Sequence, residues 1–286
     1  MLICVDGSGP SGDADYHHAF AHSFVRQIAS HSTQAVRKWY RGPDMFGEHQ
    51  VPPADLVQVV LAHFDTRSAD TTAPLEPVFL AGYSRGAATV VDVAARLQRE
   101  GIEVQAMFLF DAVDRSAHLG DTALVRNTRH VYHARRNPDA ESRLSFDNVA
   151  TGVDGSGVYE QGFFMTTHGG MGGVPFGAAG LLLGTREEYL DPRTDAARRS
   201  AIRHESLLVE ADDASGGMGA MVDSTASYAA EMIGGAVTGD PTDGITNLTM
   251  DEEEAGSRLC ARWMWRHLMW HGVLAPGSHP HLGALG

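Results

Sequence analysis

Short apolar runs alternate with segments of helical periodicity along the first half of the chain. Continuous apolar runs of this length are typical of strands that are buried on both faces. We interpret six segments as strands, at residues 2–5, 35–40, 78–83, 104–110, 129–135 and 162–167. Helices are predicted between them, at residues 16–30, from Pro52 and Pro53 onward, and at residues 86–100. This alternation predicts an α/β fold, a mostly parallel sheet with helices on both faces.

The pattern weakens between residues 169 and 250, where glycine-rich and polar stretches replace it. We expect loops and short helices there, and we interpret residues 174–250 as a cap or loop-rich insertion over a site. The apolar segment 174–183 is a candidate cover, with burial against the core as the alternative. Because the chain shows no internal repeat and no low-complexity linker, we predict a single domain over residues 1–286.

Composition excludes several classes of partner and location. The chain has 36 acidic and 22 basic residues and a net charge of −14, so a nucleic acid is not an expected partner. Its two cysteines stand far apart, which supports neither a disulfide framework nor a zinc site. The apolar runs are too short for a membrane span or a signal-peptide core. We expect synthesis in the cytoplasm, with any export through a specialised secretion system.

One serine stands where a strand is predicted to turn into a helix, in the stretch PVFLAGYSRGAATVV at residues 77–91. Ser84 lies between Gly82 and Gly86, which gives the pattern G-x-S-x-G. In α/β-hydrolases this pattern forms a tight, strained turn that exposes a nucleophilic hydroxyl, and only small neighbours leave room for it. We therefore predict Ser84 as a nucleophile; the alternative is a structural turn that contains a serine.

A serine nucleophile needs a base, and in this fold the base follows the acid along the chain. His168 directly follows the last predicted strand and precedes a glycine-rich loop, which leaves room for an imidazole beside the nucleophile. We predict His168 as the base. His133, within a predicted strand, and His204, on a charged helical face, are the alternatives.

The acid that orients the histidine is predicted from strand order. Asp111 ends the first strand after the nucleophile helix, so we predict it as the acid. Asp114, one short turn later, and Asp139, after the next strand, are the alternatives.

Backbone amides are the expected stabilisers of the oxyanion. One is the amide of Arg85, directly after the nucleophile, and the others come from Gly7 and Ser8 in the loop after the first strand. The loop DGSGPSGD is acidic and the chain has no G-x-x-x-x-G-K-[ST] motif, so nucleotide binding is not supported. This chemistry requires no metal and no organic cofactor.

Several motifs together resemble the bacterial α/β-hydrolases that include the type VI secretion phospholipase effectors. The similar segments are GYSRGAA (82–88), CVDGSG (4–9), WYRGPDMFG (39–47), FLFDAVD (108–114), TTHGGMGG (166–173) and, loosely, RLCARWM (258–264). The resemblance places the family aspartate on Asp111 and the family histidine on His168. It implies hydrolysis of carboxylic esters with lipids as the leading substrate, transient contact with a membrane surface, and a secretion-apparatus or immunity partner.

The sequence thus predicts a serine hydrolase of carboxylic esters, similar to a lipase or phospholipase. Two alternatives remain: an esterase or thioesterase of small acyl groups, and an inactive hydrolase fold used for binding. Convergence of Ser84, His168 and a carboxylate within hydrogen-bond distance favours an enzyme over a binding module.

Overall fold

The computed structural model describes residues 1–44, 47–68, 76–115, 119–143, 146–174, 188–189, 245–246 and 248–281. His204 and almost all of the predicted cap at residues 174–250 lie outside the described residues, so those two predictions are not tested. Within the described ranges, no helix is both long enough and apolar enough to cross a membrane.

Six parallel strands form one sheet, as the alternating pattern predicted. The strands are β1 (Leu2–Val5), β2 (Arg37–Tyr40), β3 (Val78–Tyr83), β4 (Val104–Phe110), β5 (Thr128–Arg136) and β6 (Val158–Phe164). They lie in the order β2-β1-β3-β4-β5-β6, and every neighbouring pair is parallel. The two residues Glu188–Tyr189 (β7) pair in parallel with Ile245–Thr246 (β8) in a separate small sheet.

Helices cover both faces of the six-stranded sheet. They are α1 (Asp13–Ala19), α2 (Phe24–His31), α3 (Pro53–Ser68), α4 (Arg85–Arg99), the short α5 (His168–Gly172) and the C-terminal α6 (Met250–Trp270), with a 3-10 turn at Pro138–Ala140. Side chains of α1, α2 and α6 pack on one face, and side chains of α3 and α4 pack on the other. Alternate residues of β4 reach the two cores: Phe108 enters the first, and Leu109 enters the second. The central strands β1, β3 and β4 are buried on both faces, which explains their nearly continuous apolar sequence, whereas the edge strands β2 and β6 are partly exposed. The predicted α/β-hydrolase-like fold class is confirmed.

Two elements differ from the sequence prediction by more than two residues. The single helix expected at residues 16–30 is two helices, because the Ser23 side chain accepts a hydrogen bond from the Arg26 amide and begins α2 anew. The strand expected at residues 162–167 is β6 at Val158–Phe164. It ends earlier because the Thr167 hydroxyl caps α5 by accepting from the Gly170 amide. That cap makes His168 the first residue of a helix.

Candidate active site

Ser84 stands on a strained turn between β3 and α4, at the carboxyl edge of the sheet. Its backbone has φ 54° and ψ −126°, a region that residues with a side chain rarely adopt. A Cβ at Gly86 would overlap backbone oxygens at the end of β1, and a Cβ at Gly82 would lie 2.5 Å from the Cα of Ala87. The two glycines therefore let strand, helix and the β1 loop meet closely enough to form the turn.

Three side chains predicted from the sequence lie together at this turn. The Ser84 hydroxyl is 2.9 Å from Nε2 of His168, and Nδ1 of His168 is 2.6 Å from Oδ2 of Asp111. Asp111 is fully buried, and Ser84 and His168 are 5% and 8% exposed. In the tautomer that fits both contacts, Nδ1–H donates to Asp111 and Nε2 accepts from the Ser84 hydroxyl. This is the geometry of a Ser-His-Asp triad.

Asp111 is fixed by neighbours on three sides. It follows β4 with φ 45°, and its carboxylate accepts from Nδ2 of Asn148 at 2.7 Å and from Nη1 of Arg136 at 2.9 Å. The next amide, that of Ala112, donates to Nε2 of His133 at 3.1 Å. These bonds satisfy the buried carboxylate and hold the unusual backbone conformation that aims it at the imidazole.

His168 is fixed by contacts at its backbone. Its amide donates to the Ser142 hydroxyl at 2.8 Å, and its carbonyl accepts from the Tyr83 hydroxyl at 2.9 Å. The preceding residue, Thr167, donates its hydroxyl to the buried carboxylate of Glu253 in α6. The C-terminal helix therefore helps to position the imidazole, although it lies far from the triad in sequence.

The surroundings shift the pKa of both ionisable members of the triad. Burial alone would raise the pKa of Asp111, but the Arg136 guanidinium and the hydrogen bonds from His168 and Asn148 hold it well below its usual range. Burial lowers the pKa of His168, and the charges of Arg136 and Arg143 lower it further, against the raising effect of Asp111. The site therefore favours an ionised acid beside a neutral imidazole that can accept a proton.

The alternative base His133 has both ring nitrogens engaged elsewhere. Nε2 accepts from the Ala112 amide, and Nδ1 lies 3.1 Å from the Ala150 carbonyl oxygen and 3.2 Å from the Tyr159 hydroxyl. Burial lowers its pKa to about 4, so the ring remains neutral. His133 holds the backbone behind Asp111, and the structure does not bring it to the Ser84 hydroxyl.

The alternative acids also lie in other surroundings. Asp114 accepts from the Thr122 hydroxyl at 2.7 Å, and Asp139 is exposed in the 3-10 turn. Of the carboxylates proposed from the sequence, Asp111 is the one that the structure places on His168.

Sequence reasoning missed Arg136 and Asn148. Arg136 ends β5, one residue beyond the predicted strand, and parallel strands meet the site at their carboxyl ends. Its position at the carboxyl end of a strand could have identified Arg136 as a candidate site residue. Asn148 lies in the irregular segment before β6, where no strand end or motif marked it.

The predicted oxyanion donors border the serine. A Cβ on Gly7 would lie 2.9 Å from the Cβ of Ser84, so the β1 loop passes directly beside the nucleophile. The Gly7 amide interacts with the Asp6 carboxylate, and Arg85 is the first residue of α4, whose amide end carries positive partial charge. The amides of Gly7, Ser8 and Arg85 remain predicted as oxyanion donors.

One group in the described part of the chain has ligand atoms close enough for a metal ion. Asp44, Glu48 and His49 hold such atoms within 4.8 Å of one another. The Asp44 carboxylate already accepts from the Ser11 hydroxyl and the Glu48 amide, and the other two residues are exposed. The triad chemistry does not require this group.

Residues 3–144 match the family profile of the thioesterase domain. This matched region includes Ser84 and Asp111, and His168 follows it. The esterase-type hydrolase predicted from the sequence is thus supported by the family comparison together with the triad. This match does not address the resemblance to the secretion effectors, which stays a prediction.

Solved structures of hydrolases also resemble the chain. The type II thioesterase BorB from the borrelidin biosynthetic cluster is 15% identical, with 58% of this chain and 82% of that chain covered and a TM-score of 0.32. The NocB thioesterase domain from the nocardicin cluster is 17% identical, with 58% and 83% covered and a TM-score of 0.31. A putative cell surface hydrolase from Lactobacillus plantarum WCFS1 is 11% identical, with 58% and 80% covered and a TM-score of 0.29. No curated protein matches the sequence.

Proposed function

We propose that the chain hydrolyses acyl thioesters, and related oxoesters, through an acyl-enzyme on Ser84. The observation that carries the proposal is the continuous contact from the Ser84 hydroxyl through His168 to Asp111, on a strained turn between strand and helix. A hydroxyl in a structural turn needs neither the strain nor an imidazole that is itself held by a buried carboxylate.

The proposed reaction has two halves. The Ser84 oxygen attacks the acyl carbonyl carbon while its proton passes to Nε2 of His168, and Asp111 stabilises the imidazolium that forms. The imidazolium then donates that proton to the leaving thiolate or alkoxide, and the acyl–Ser84 ester remains. Water, deprotonated by the same imidazole, attacks this ester and releases the carboxylic acid and the free hydroxyl.

The negative oxygen of each tetrahedral intermediate needs preorganised donors. The Arg85 amide at the start of α4 and the amides of Gly7 and Ser8 are the proposed donors, because the β1 loop passes directly beside Ser84. The amino end of α4 adds a favourable dipole at the same place.

Thioesters are the leading substrate class because residues 3–144 match the thioesterase domain. The lipase-like alternative rests on the motif resemblance and on the apolar segment 174–183. In that segment Val174 is buried, and its remaining residues lie outside the described part of the chain. Transient membrane contact and a secretion or immunity partner belong to that alternative.

Labelling with a fluorophosphonate probe tests the nucleophile. We expect the wild-type protein to be labelled and Ser84→Ala to remain unlabelled while keeping its fold by circular dichroism. Ser30→Ala removes an exposed serine at the end of α2 and serves as the matched control, which should label normally. Absence of labelling in the wild type, beside a reactive control hydrolase, would favour the inactive binding fold.

Matched substrates test the leaving group and the acyl chain. Butyryl-N-acetylcysteamine and p-nitrophenyl butyrate share one acyl group, and a longer-chain series and phosphatidylcholine vesicles extend the comparison. We expect the higher kcat/KM with the thioester, and a loss of at least about a thousandfold in Ser84→Ala. Preferential vesicle hydrolysis would instead identify the lipase-like alternative.

A further inference from the structure

A buried arginine lies against the triad, in a position that the Ser-His-Asp mechanism does not use. Nη1 of Arg136 is 2.9 Å from Oδ2 of Asp111, the same oxygen that His168 contacts, and it is 3.1 Å from Nδ1 of His168. Nη2 of Arg136 donates to the carbonyl oxygen of Phe146, and the residue is only 8% exposed. Two donors thus converge on one carboxylate oxygen, and the guanidinium cannot turn away into solvent.

We propose that Arg136 is a positioning residue of the triad, whose fixed charge beside Asp111 and His168 sets the pH above which the imidazole can act as a base. This inference rests on the proposed serine hydrolase function and adds a residue to it.

Charge counting explains the effect. When His168 takes the serine proton, a lone Asp111 carboxylate would provide a full opposite charge beside it. Here the Arg136 guanidinium already neutralises that carboxylate, so the imidazolium meets an ion pair of zero net charge whose cationic nitrogen lies 3.1 Å from Nδ1. The protonated ring is therefore less stable, and the free base persists to lower pH.

Within the described ranges, the other charged and titratable groups around His168 do not reverse this balance. Arg143 adds a second positive charge and lowers the pKa of His168 in the same direction as Arg136. The Tyr83 hydroxyl, in β3, donates to the His168 carbonyl oxygen. The Glu253 carboxylate, in α6, accepts from the hydroxyl of Thr167, the residue before His168. Of these described carboxylates, Asp111 contacts the ring itself, and its charge is balanced by that of Arg136.

The acid limb of the pH profile tests the proposal. We expect Arg136→Gln to move the midpoint of kcat/KM upward by about one pH unit, because the cation next to the ring is removed. Arg136→Lys keeps the charge and should remain close to the wild type. Arg129→Gln is the matched control: it removes the same charge near the other end of β5, from a pair with Glu103 that is largely exposed. An unchanged midpoint in Arg136→Gln, with normal folding, would overturn the proposal.

Nuclear magnetic resonance of the imidazole gives a second measurement that needs no turnover. The His168 signal, assigned by its loss in His168→Gln, should titrate below 6.5 in the wild-type protein and at a higher pH in Arg136→Gln. A wild-type midpoint at or above 6.5 would overturn the proposal even if Arg136→Gln does not fold. If neither probe nor substrate reacts with the wild type, the proposed function fails, and this titration still decides the role of Arg136.

Discussion

Asp6 allows the effect of burial on the pKa of a carboxyl group to be tested in this fold. It follows β1 and is fully buried; one oxygen accepts from the Ser23 hydroxyl at 2.5 Å and from Nε1 of Trp39 at 2.8 Å. Its other oxygen is buried and has no hydrogen-bond partner among the residues that the structure describes. Burial raises the pKa of Asp6 from 3.8 to about 7, against the lowering effect of these bonds and of the more distant Arg26 charge.

The raised pKa makes stability depend on pH with a definite sign. Between pH 4 and 7 the folded protein keeps the Asp6 proton while the unfolded chain has lost it, so the free energy of unfolding falls as pH rises. The difference between the pKa values of 3.8 and about 7 corresponds to a total change of about 4 kcal/mol in the free energy of unfolding. That contribution is fully present below pH 3.8 and is lost by pH 8.

Asp6→Asn removes the titration while keeping an oxygen for Ser23 and Trp39. Urea unfolding of wild type and variant at several pH values gives the difference in free energy of unfolding. Any constant cost of the amide cancels along this curve. We expect the stability of Asp6→Asn relative to wild type to rise by about 4 kcal/mol between pH 4 and pH 8. A flat difference curve would refute the reasoning, because it would mean that Asp6 is ionised in the fold at pH 4.

Three further substitutions test the framework of the site. Gly86→Ala should lower the free energy of unfolding by about 1–3 kcal/mol and reduce probe labelling, because the added methyl group overlaps the end of β1. Gly152→Ala is the control, since its methyl group would meet one flexible side chain at 3.3 Å. It should change stability by less than about 0.5 kcal/mol. Asn148→Ala should lower the free energy of unfolding in urea by about 1.5–3 kcal/mol and lower kcat/KM for p-nitrophenyl butyrate, because Asp111 loses a hydrogen bond of 2.7 Å. Unchanged kinetics would contradict this. His133→Gln should remove a fall of about 3 kcal/mol in the free energy of unfolding between pH 6.5 and pH 4, because the unfolded ring binds a proton that the buried ring does not. A stability difference between variant and wild type that stays constant over this pH range would contradict it.

The sheet was predictable because its central strands β1, β3 and β4 are buried on both faces. Each apolar run of the first half is a strand, and the turn at Ser84 follows from the two glycines and the helix after it. The break before α2 was not predictable from periodicity, because apolar residues continue through it and a single serine hydroxyl decides where the helix restarts.

The site was predictable where strand order alone determines position. Ser84, Asp111 and His168 follow three strands of one parallel sheet, so their carboxyl ends bring them to the same edge. Contacts that depend on side-chain packing were not accessible in this way. From the sequence, an arginine after an apolar run is expected to be solvent-exposed. The contact of Arg136 with the triad depends on tertiary packing. The support from α6 depends on Glu253, which reads as one of several acidic residues at a helix start.

Two buried aspartates at the same edge of the sheet separate the effects of burial and of charge. Asp6 and Asp111 each follow a strand, each is fully buried, and each accepts hydrogen bonds from side chains. Burial raises the pKa of Asp6 to about 7, whereas the pKa of Asp111 lies well below its usual range. Arg136 pairs with Asp111, and His168 and Asn148 donate to it, whereas the groups in contact with Asp6, such as Ser23 and Trp39, are neutral. Burial alone would therefore raise the pKa of Asp111 as it raises that of Asp6. The charge of Arg136 acts together with the hydrogen bonds from His168 and Asn148 to keep the carboxylate ionised, and in that form it can stabilise an imidazolium.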